Sequence, residues 1–119
     1  MNSDRWINDM FQSIDNCDNA AFMKFLTEDV NFTFGNAETV AGKAALEPVL
    51  QGFFDSIKTL DHEVTGVWEK DNMIFSRGKV TYTRHDETTL SVPFANIFEM
   101  NGDLIGKYNI YIDISQLYV

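Results

Sequence analysis

The stretch LDHEVTGVWEKDNMIFSRGKVTYTRHDETTLSVPFANIFEMNGDLIGKYNIYIDIS, residues 60–115, decides the fold. Apolar and polar residues alternate in long runs that break at Lys70-Asp71-Asn72, at Asp86-Glu87 and at Asn101-Gly102, the last a strong two-residue turn signal. The segment therefore predicts four strands of ten or more residues in an antiparallel meander. Upstream the period changes. Trp6, Ile7, Met10, Phe11 and Ile14 recur at helical spacing after Ser3, a plausible N-cap. Asp18 can cap a second short helix that carries Ala21, Phe22, Phe25 and Leu26 and ends near Thr27. Val30 to Phe34 reads as a short strand leaving through Gly35-Asn36. Leu46, Leu50, Phe53, Phe54 and Ile57 make a third helix after Gly42, which Pro48 allows to begin as late as Glu47. Helices followed by a meander give an α+β domain with the helices against one face of a curved sheet. No linker or repeat divides the chain, so residues 1–119 are one domain. Three short helices over a sheet this long leave a hollow beneath them or apolar surface behind it.

Composition narrows the partners. A hydrophobic content of 45% with ten Phe supplies a real core. Eighteen acidic against nine basic residues, a formal charge of −9, would repel phosphate backbones and anionic membranes, so neither nucleic acid nor membrane is an expected partner. No apolar run approaches a membrane span. Asp4 and Asp9 occupy the region where a signal peptide would be basic and then apolar, so a cytoplasmic location is expected. The single Cys17 excludes an intrachain disulfide. There is no glycine-rich phosphate loop, Gly-x-Ser-x-Gly elbow or His-Glu-x-x-His pair, and His62, His85 and Cys17 lie on different elements. Neither a metal nor a cofactor is expected.

Several short segments carry a resemblance: Ile14-Asp15-Asn16-Cys17-Asp18, Asp29-Val30-Asn31-Phe32, Gly42-Lys43-Ala44-Ala45-Leu46, Val80-Thr81-Tyr82-Thr83-Arg84, and Gly102 followed by Tyr111-Ile112-Asp113. In order and spacing they are similar to the SnoaL-like branch of the nuclear transport factor 2-like superfamily, over nearly the whole chain. The resemblance implies a cone-shaped fold, three helices wrapped by a bent sheet around a deep pocket, and a homodimer through the outer sheet face. Its members include polyketide cyclases, ketosteroid isomerase, limonene epoxide hydrolase, dehydratases and proteins without catalysis, so the reaction must be argued from the site.

On the last strand, patterning alone turns Tyr108, Ile110, Ile112 and Ile114 inward and leaves Asp113 wet. The resemblance implies the reverse, with the acid of Tyr-x-Asp in the pocket and the isoleucines at the dimer face. Asp113 among aromatic rings would then have a raised pKa and act as general acid or base. His62 shares its face with Leu60, Val64 and Trp68, and points inward as a partner for Asp113. Arg84 shares its face with Val80 and Tyr82; paired with Asp113, it would pull that carboxyl down instead. Arg84-His85-Asp86 with Tyr111-Ile112-Asp113 resembles the spacing of limonene epoxide hydrolase, and Asn36 matches part of the remainder. However, Phe34 stands where that enzyme has a water-orienting Tyr, and Asp86 reads as a turn residue. The ketosteroid isomerase Tyr and base would fall near Met10 and Thr33, which cannot serve. Asn36, Asn96, Tyr82 and Tyr111 are the polar candidates for contacting a ligand, with Phe34 and Trp68 as apolar wall.

The expected function is a cofactor-independent acid–base enzyme of isomerase or cyclase type. Its catalytic residues are Asp113, His62 and Arg84, and its substrate is a small apolar, oxygen-bearing polyketide, terpenoid or steroid-like molecule. A non-catalytic ligand-binding dimer is the alternative, and an epoxide hydrolase a minor one.

Overall fold

A computed structural model describes residues 2–118. Three helices, α1 (Ser3–Asp15), α2 (Asn19–Met23) and α3 (Lys43–Asp55), lie with six strands: β1 (Leu26–Phe34), β2 (Val40–Ala41), β3 (Thr59–Lys70), β4 (Met73–Thr83), β5 (Thr89–Asn101) and β6 (Leu104–Ile112). The strands form one sheet in the order β2-β1-β6-β5-β4-β3. β1 runs parallel to β6 and all other neighbours are antiparallel. The result is an α+β fold with helices on an open mixed sheet.

Local chemistry accounts for most boundaries. α1 is capped by Asn2, whose side chain accepts from the Arg5 N–H at 3.1 Å, not by Ser3, whose hydroxyl donates to Glu69 instead. Asp18 caps α2 through the Ala21 N–H at 3.1 Å. That helix ends at Met23 rather than near Thr27, because Leu26 already belongs to β1 and pairs with Ile105. α3 begins at Lys43, earlier than Pro48 alone suggests. Leu46, Leu50 and Phe54, four residues apart, are all buried, and packing one continuous face outweighs the backbone bond that Pro48 cannot donate.

Two hairpins have two-residue loops. Lys70 pairs with Met73, and Asn101 with Leu104. The second loop is therefore Gly102-Asp103, one residue beyond the sequence signal, with Gly102 at φ +66°. β6 has nine residues, shorter than expected.

The long strands alternate except at two bulges: one in β6, where Gly106 is left over between the Glu99–Lys107 and Met100–Ile105 pairs, and one in β3. β3 pairs Val64 with Gly78 and Gly66 with Arg77, leaving Thr65 as an extra residue, a β-bulge. The bulge exchanges the two faces for the rest of the strand. Val67 packs against the core, while Trp68, expected inward with His62, is 52% exposed on the outer face beside Arg77. At the bulge the strands approach so closely that a Cβ on Gly78 would lie 2.0 Å from the Glu63 carbonyl oxygen.

Phe22, Phe98, Tyr82 and Tyr108 are the largest fully buried side chains, at the junction of sheet and helices. No helix among the described residues is long and apolar enough to cross a membrane. Gly78→Ala should destabilise the fold by roughly 2 kcal/mol or more, because backbone must move to admit the methyl group. Urea unfolding checks this, and an unchanged midpoint would show that the strands are not this close.

Candidate active site

The concave face of the sheet and the helices enclose a cavity of about 190 Å³. Phe22, Phe32, Phe34, Phe53, Phe54 and Phe94 supply much of its wall. Only four lining residues carry polar side-chain atoms: His62, Tyr82, Asn96 and Tyr108. Its mouth lies where exposed Val49 of α3 faces exposed Ala37 in the turn after β1.

β3 delivers His62, which α1 holds in place. The His62 backbone N–H donates to Asp15 Oδ2 at 3.0 Å, and ring Nδ1 lies 2.6 Å from Oδ1 of the same carboxylate. An ionised carboxylate only accepts, so Nδ1 carries a proton, and in the neutral imidazole the lone pair is on Nε2. Nε2 has no hydrogen-bond partner among the described residues. Phe11 stacks on the ring, centroids 4.3 Å apart and planes 21° off parallel, and Phe94 meets it edge-on at 5.3 Å. The two side chains are 11% and 17% exposed, so the pair is largely screened from water. The imidazole is thus fixed in position, rotation and tautomer by a carboxylate behind it and a ring on its face. That is the arrangement of a proton-transferring group.

Asn96, 2% exposed, donates from Nδ2 to the Ser76 hydroxyl at 3.3 Å across the β4–β5 ladder. Tyr82 and Tyr108 are also buried, and burial pushes both phenols well above their ordinary range, so they remain O–H donors. Cys17 stands beside this region, but burial, with Asp15 and Asp55 adding to it, raises its thiol pKa and disfavours a thiolate.

Of the residues singled out in the sequence, His62, Phe34, Tyr82 and Asn96 line the cavity. The others lie elsewhere. Asp113 is exposed, and the Ser115 backbone N–H, followed by the Ser115 side chain, holds its carboxyl below the usual range, the reverse of the expected upward shift. Ile110 and Ile112 take the cavity wall instead, as plain alternation requires, and Tyr111 is 55% exposed on the outer face. Arg84 meets no carboxylate among the described residues. Nε donates to the Leu117 carbonyl at 2.8 Å, Nη2 to that of Gln116 at 2.9 Å, and Nη1 to Thr88 and Thr89, so its fork straps the C-terminal segment to the β4–β5 turn. Asp86 is exposed in that turn and accepts from the Thr88 N–H, out of reach of the cavity, which removes the epoxide hydrolase constellation. Asn36 is exposed in the turn after β1.

Asp15 went unrecognised in the sequence. One signal was present: it continues the buried stripe Ile7, Phe11 at the next i+4 position, where a carboxylate needs a partner. It also ends the helix, where the macrodipole disfavours negative charge.

Comparisons with known proteins agree with this architecture. A model of the SnoaL-like domain matches residues 7–108. No curated protein matches the chain. Among solved structures, a protein provisionally called a polyketide cyclase from Xanthomonas campestris pv. campestris superposes with a TM-score of 0.84 at 18% identity, over 94% of this chain and 90% of its own. A protein with a ketosteroid isomerase-like fold from Catenulispora acidiphila superposes with a TM-score of 0.84 at 12% identity, over 92% and 86%. An LEH-like epoxide hydrolase from M. tuberculosis gives 0.80 at 10% identity, over 96% and 84%. At these identities the likeness is one of fold.

Asp15→Ala should release the ring tautomer. In the wild type at pH 8.5, nitrogen-15 NMR should show His62 protonated at Nδ1, and the variant should shift toward the Nε2–H form. An unchanged tautomer would mean that Asp15 does not orient the ring.

Proposed function

The chain belongs to the SnoaL-like domain family, and on that footing we propose that it is a cofactor-independent acid–base enzyme of isomerase or cyclase type, acting on a small apolar, oxygen-bearing molecule. The observation that carries this reading is the His62–Asp15 pair on the wall of an aromatic cavity. Asp113 and Arg84 have no part in it. His62 Nε2 removes a proton from carbon next to a substrate carbonyl, and the resulting imidazolium is stabilised by Asp15 at 2.6 Å. The same ring returns the proton at another position of the substrate. Negative charge developing on the carbonyl oxygen is met by the buried phenols Tyr82 and Tyr108, which stay protonated. The apolar walls exclude water, which strengthens each of these interactions.

Deuterium uptake from D₂O next to the carbonyl of 2-cyclohexenone and its ring-substituted relatives, followed by NMR, tests the proposal. The wild type should accelerate uptake, and His62→Ala should reduce the acceleration by roughly 10²–10⁴-fold while ligand affinity changes little. Asp15→Asn should show a smaller loss of the same kind. Binding of these ketones without exchange would leave the non-catalytic ligand-binding reading in its place.

We also propose that two copies pair through the outer sheet face. Trp68 and Tyr111 stand 52% and 55% exposed there, and Phe75 and Ile97, half-buried on the same face, lie on the strands between them. Sedimentation should give a species of twice the 13.6 kDa chain mass, shifting toward that mass in Trp68→Glu. A monomeric wild type at micromolar concentration would remove the proposal.

A further inference from the structure

The rings that line the cavity are not equally fixed. Phe22, Phe32, Phe54 and Phe94 are buried in the core, so the packing of the whole fold holds the space they bound. Phe34, at the end of β1, and Phe53, on α3, line the same space but are only half-buried. They meet at 5.4 Å between centroids, and each adjoins the mouth. Val49 stands one turn before Phe53 on the same helix face, and the Ala37 N–H donates to the Phe34 carbonyl at 3.1 Å to close the turn after β1. Phe53 also meets Tyr82 of β4 edge-on at 6.0 Å. One ring on α3 thus bounds the cavity from β1 to β4 beside its mouth.

Size and charge both limit what fits inside that boundary. A cavity of roughly 150 Å³ holds a benzene molecule, so about 190 Å³ admits one ring with a few substituent atoms and leaves no room for a second fused ring. Among the described residues no Lys, Arg, Asp or Glu lines the cavity. The single lining group that can become positive, His62, is already paired with the Asp15 carboxylate at 2.6 Å. A carboxylate or a phosphate-bearing thioester would shed its water among phenylalanines with no free cation to meet it, and the formal charge of −9 opposes its approach. A neutral ketone needs only hydrogen-bond donors.

We propose that the cavity takes a neutral ketone built on one ring, and that Phe53 is the residue that sets the one-ring limit. The inference rests on the cavity being the site of the proposed function, and it narrows the substrate to this class. Removing the Phe53 side chain deletes a benzene ring from the wall. Because the surrounding core relaxes only partly, the cavity then gains room for about one more ring. The same deletion at Phe22 or Phe94 would hollow out the core instead, since both side chains are buried there.

Acetophenone, benzoate and 2-acetonaphthalene test both limits. The first two have equal numbers of non-hydrogen atoms and differ in charge, while the third adds one fused ring. Titrated by NMR at pH 8, the wild type should bind acetophenone roughly tenfold more tightly than either of the others. Phe53→Ala should bind 2-acetonaphthalene at least as tightly as acetophenone and still reject benzoate. Phe53→Trp enlarges the same ring and should weaken acetophenone binding roughly tenfold, which checks the assignment independently of whether the alanine variant folds. Equal binding of acetophenone and 2-acetonaphthalene by the wild type overturns the one-ring limit, and equal binding of benzoate overturns the neutral class. A folded Phe53→Ala that still excludes the fused ring, or a Phe53→Trp that binds acetophenone as the wild type does, removes Phe53 as the determinant. Failure of the wild type to bind acetophenone overturns the inference outright. His62-dependent deuterium exchange into cyclohexenones in any of these cases leaves the acid–base reading standing without it. The expected preferences without exchange leave the inference standing for a ligand pocket and remove the acid–base reading.

Discussion

The contact between Asp15 and His62 ties the last residue of α1 to β3, the edge strand of the sheet, and one wall of the cavity depends on it. Its electrostatics are locally unfavourable. A carboxylate at a helix C-terminus faces the negative end of the dipole, and here it is also mostly withdrawn from water. Two hydrogen bonds from one residue, a backbone N–H and a ring nitrogen, offset those terms. Either bond alone would leave the ring or the carboxylate free to turn. Together with the stacked Phe11 they define one orientation, and a histidine held this way directs its other nitrogen into the hollow.

The hollow persists because its walls are stiff. Tyr108 packs against Phe98 at 4.4 Å between centroids and against Phe32 at 5.3 Å, while Phe53 bridges Phe34 and Tyr82. Interlocked rings cannot collapse inward without losing edge-to-face contacts. Beside the cavity the chain end is strapped down. Arg84 spends four donated hydrogen bonds on the turn and the C-terminal segment, Leu117 is 1% exposed, and Tyr118 reaches Ser56 at the end of α3. A guanidinium so committed to backbone carbonyls has little capacity left for a substrate, so the residue that looked like chemistry in the sequence serves closure.

The last strand shows how a residue's role can be misread. Alternation alone placed Ile110 and Ile112 inward and Asp113 in water, and so they lie. The family resemblance argued for the opposite facing; here the carboxylate that meets His62 stands on α1, not on the last strand. Trp68 illustrates the converse. Its position in the alternation was counted correctly, but one inserted residue at Thr65 reversed every facing beyond it. A bulge of this kind leaves no mark in a period-two pattern except a glycine nearby, and Gly66 and Gly78 are ordinary signals on their own.

The amino-acid sequence by itself determined the elements: three helices from apolar stripes and caps, the meander from alternation and turn residues, and the inward facing of His62, Tyr82 and Asn96. Those are local properties, set by periods of 3.6 and 2 and by the backbone preferences of a few residues. Tertiary structure alone decided the site. Asp15 meets His62 across 47 positions of sequence, and the hollow that His62 lines draws its wall from helices and strands far apart in the chain. Pairing at such separation depends on how a helix is laid across a twisted sheet. That geometry comes from the packing of the whole core, and no window of sequence contains it.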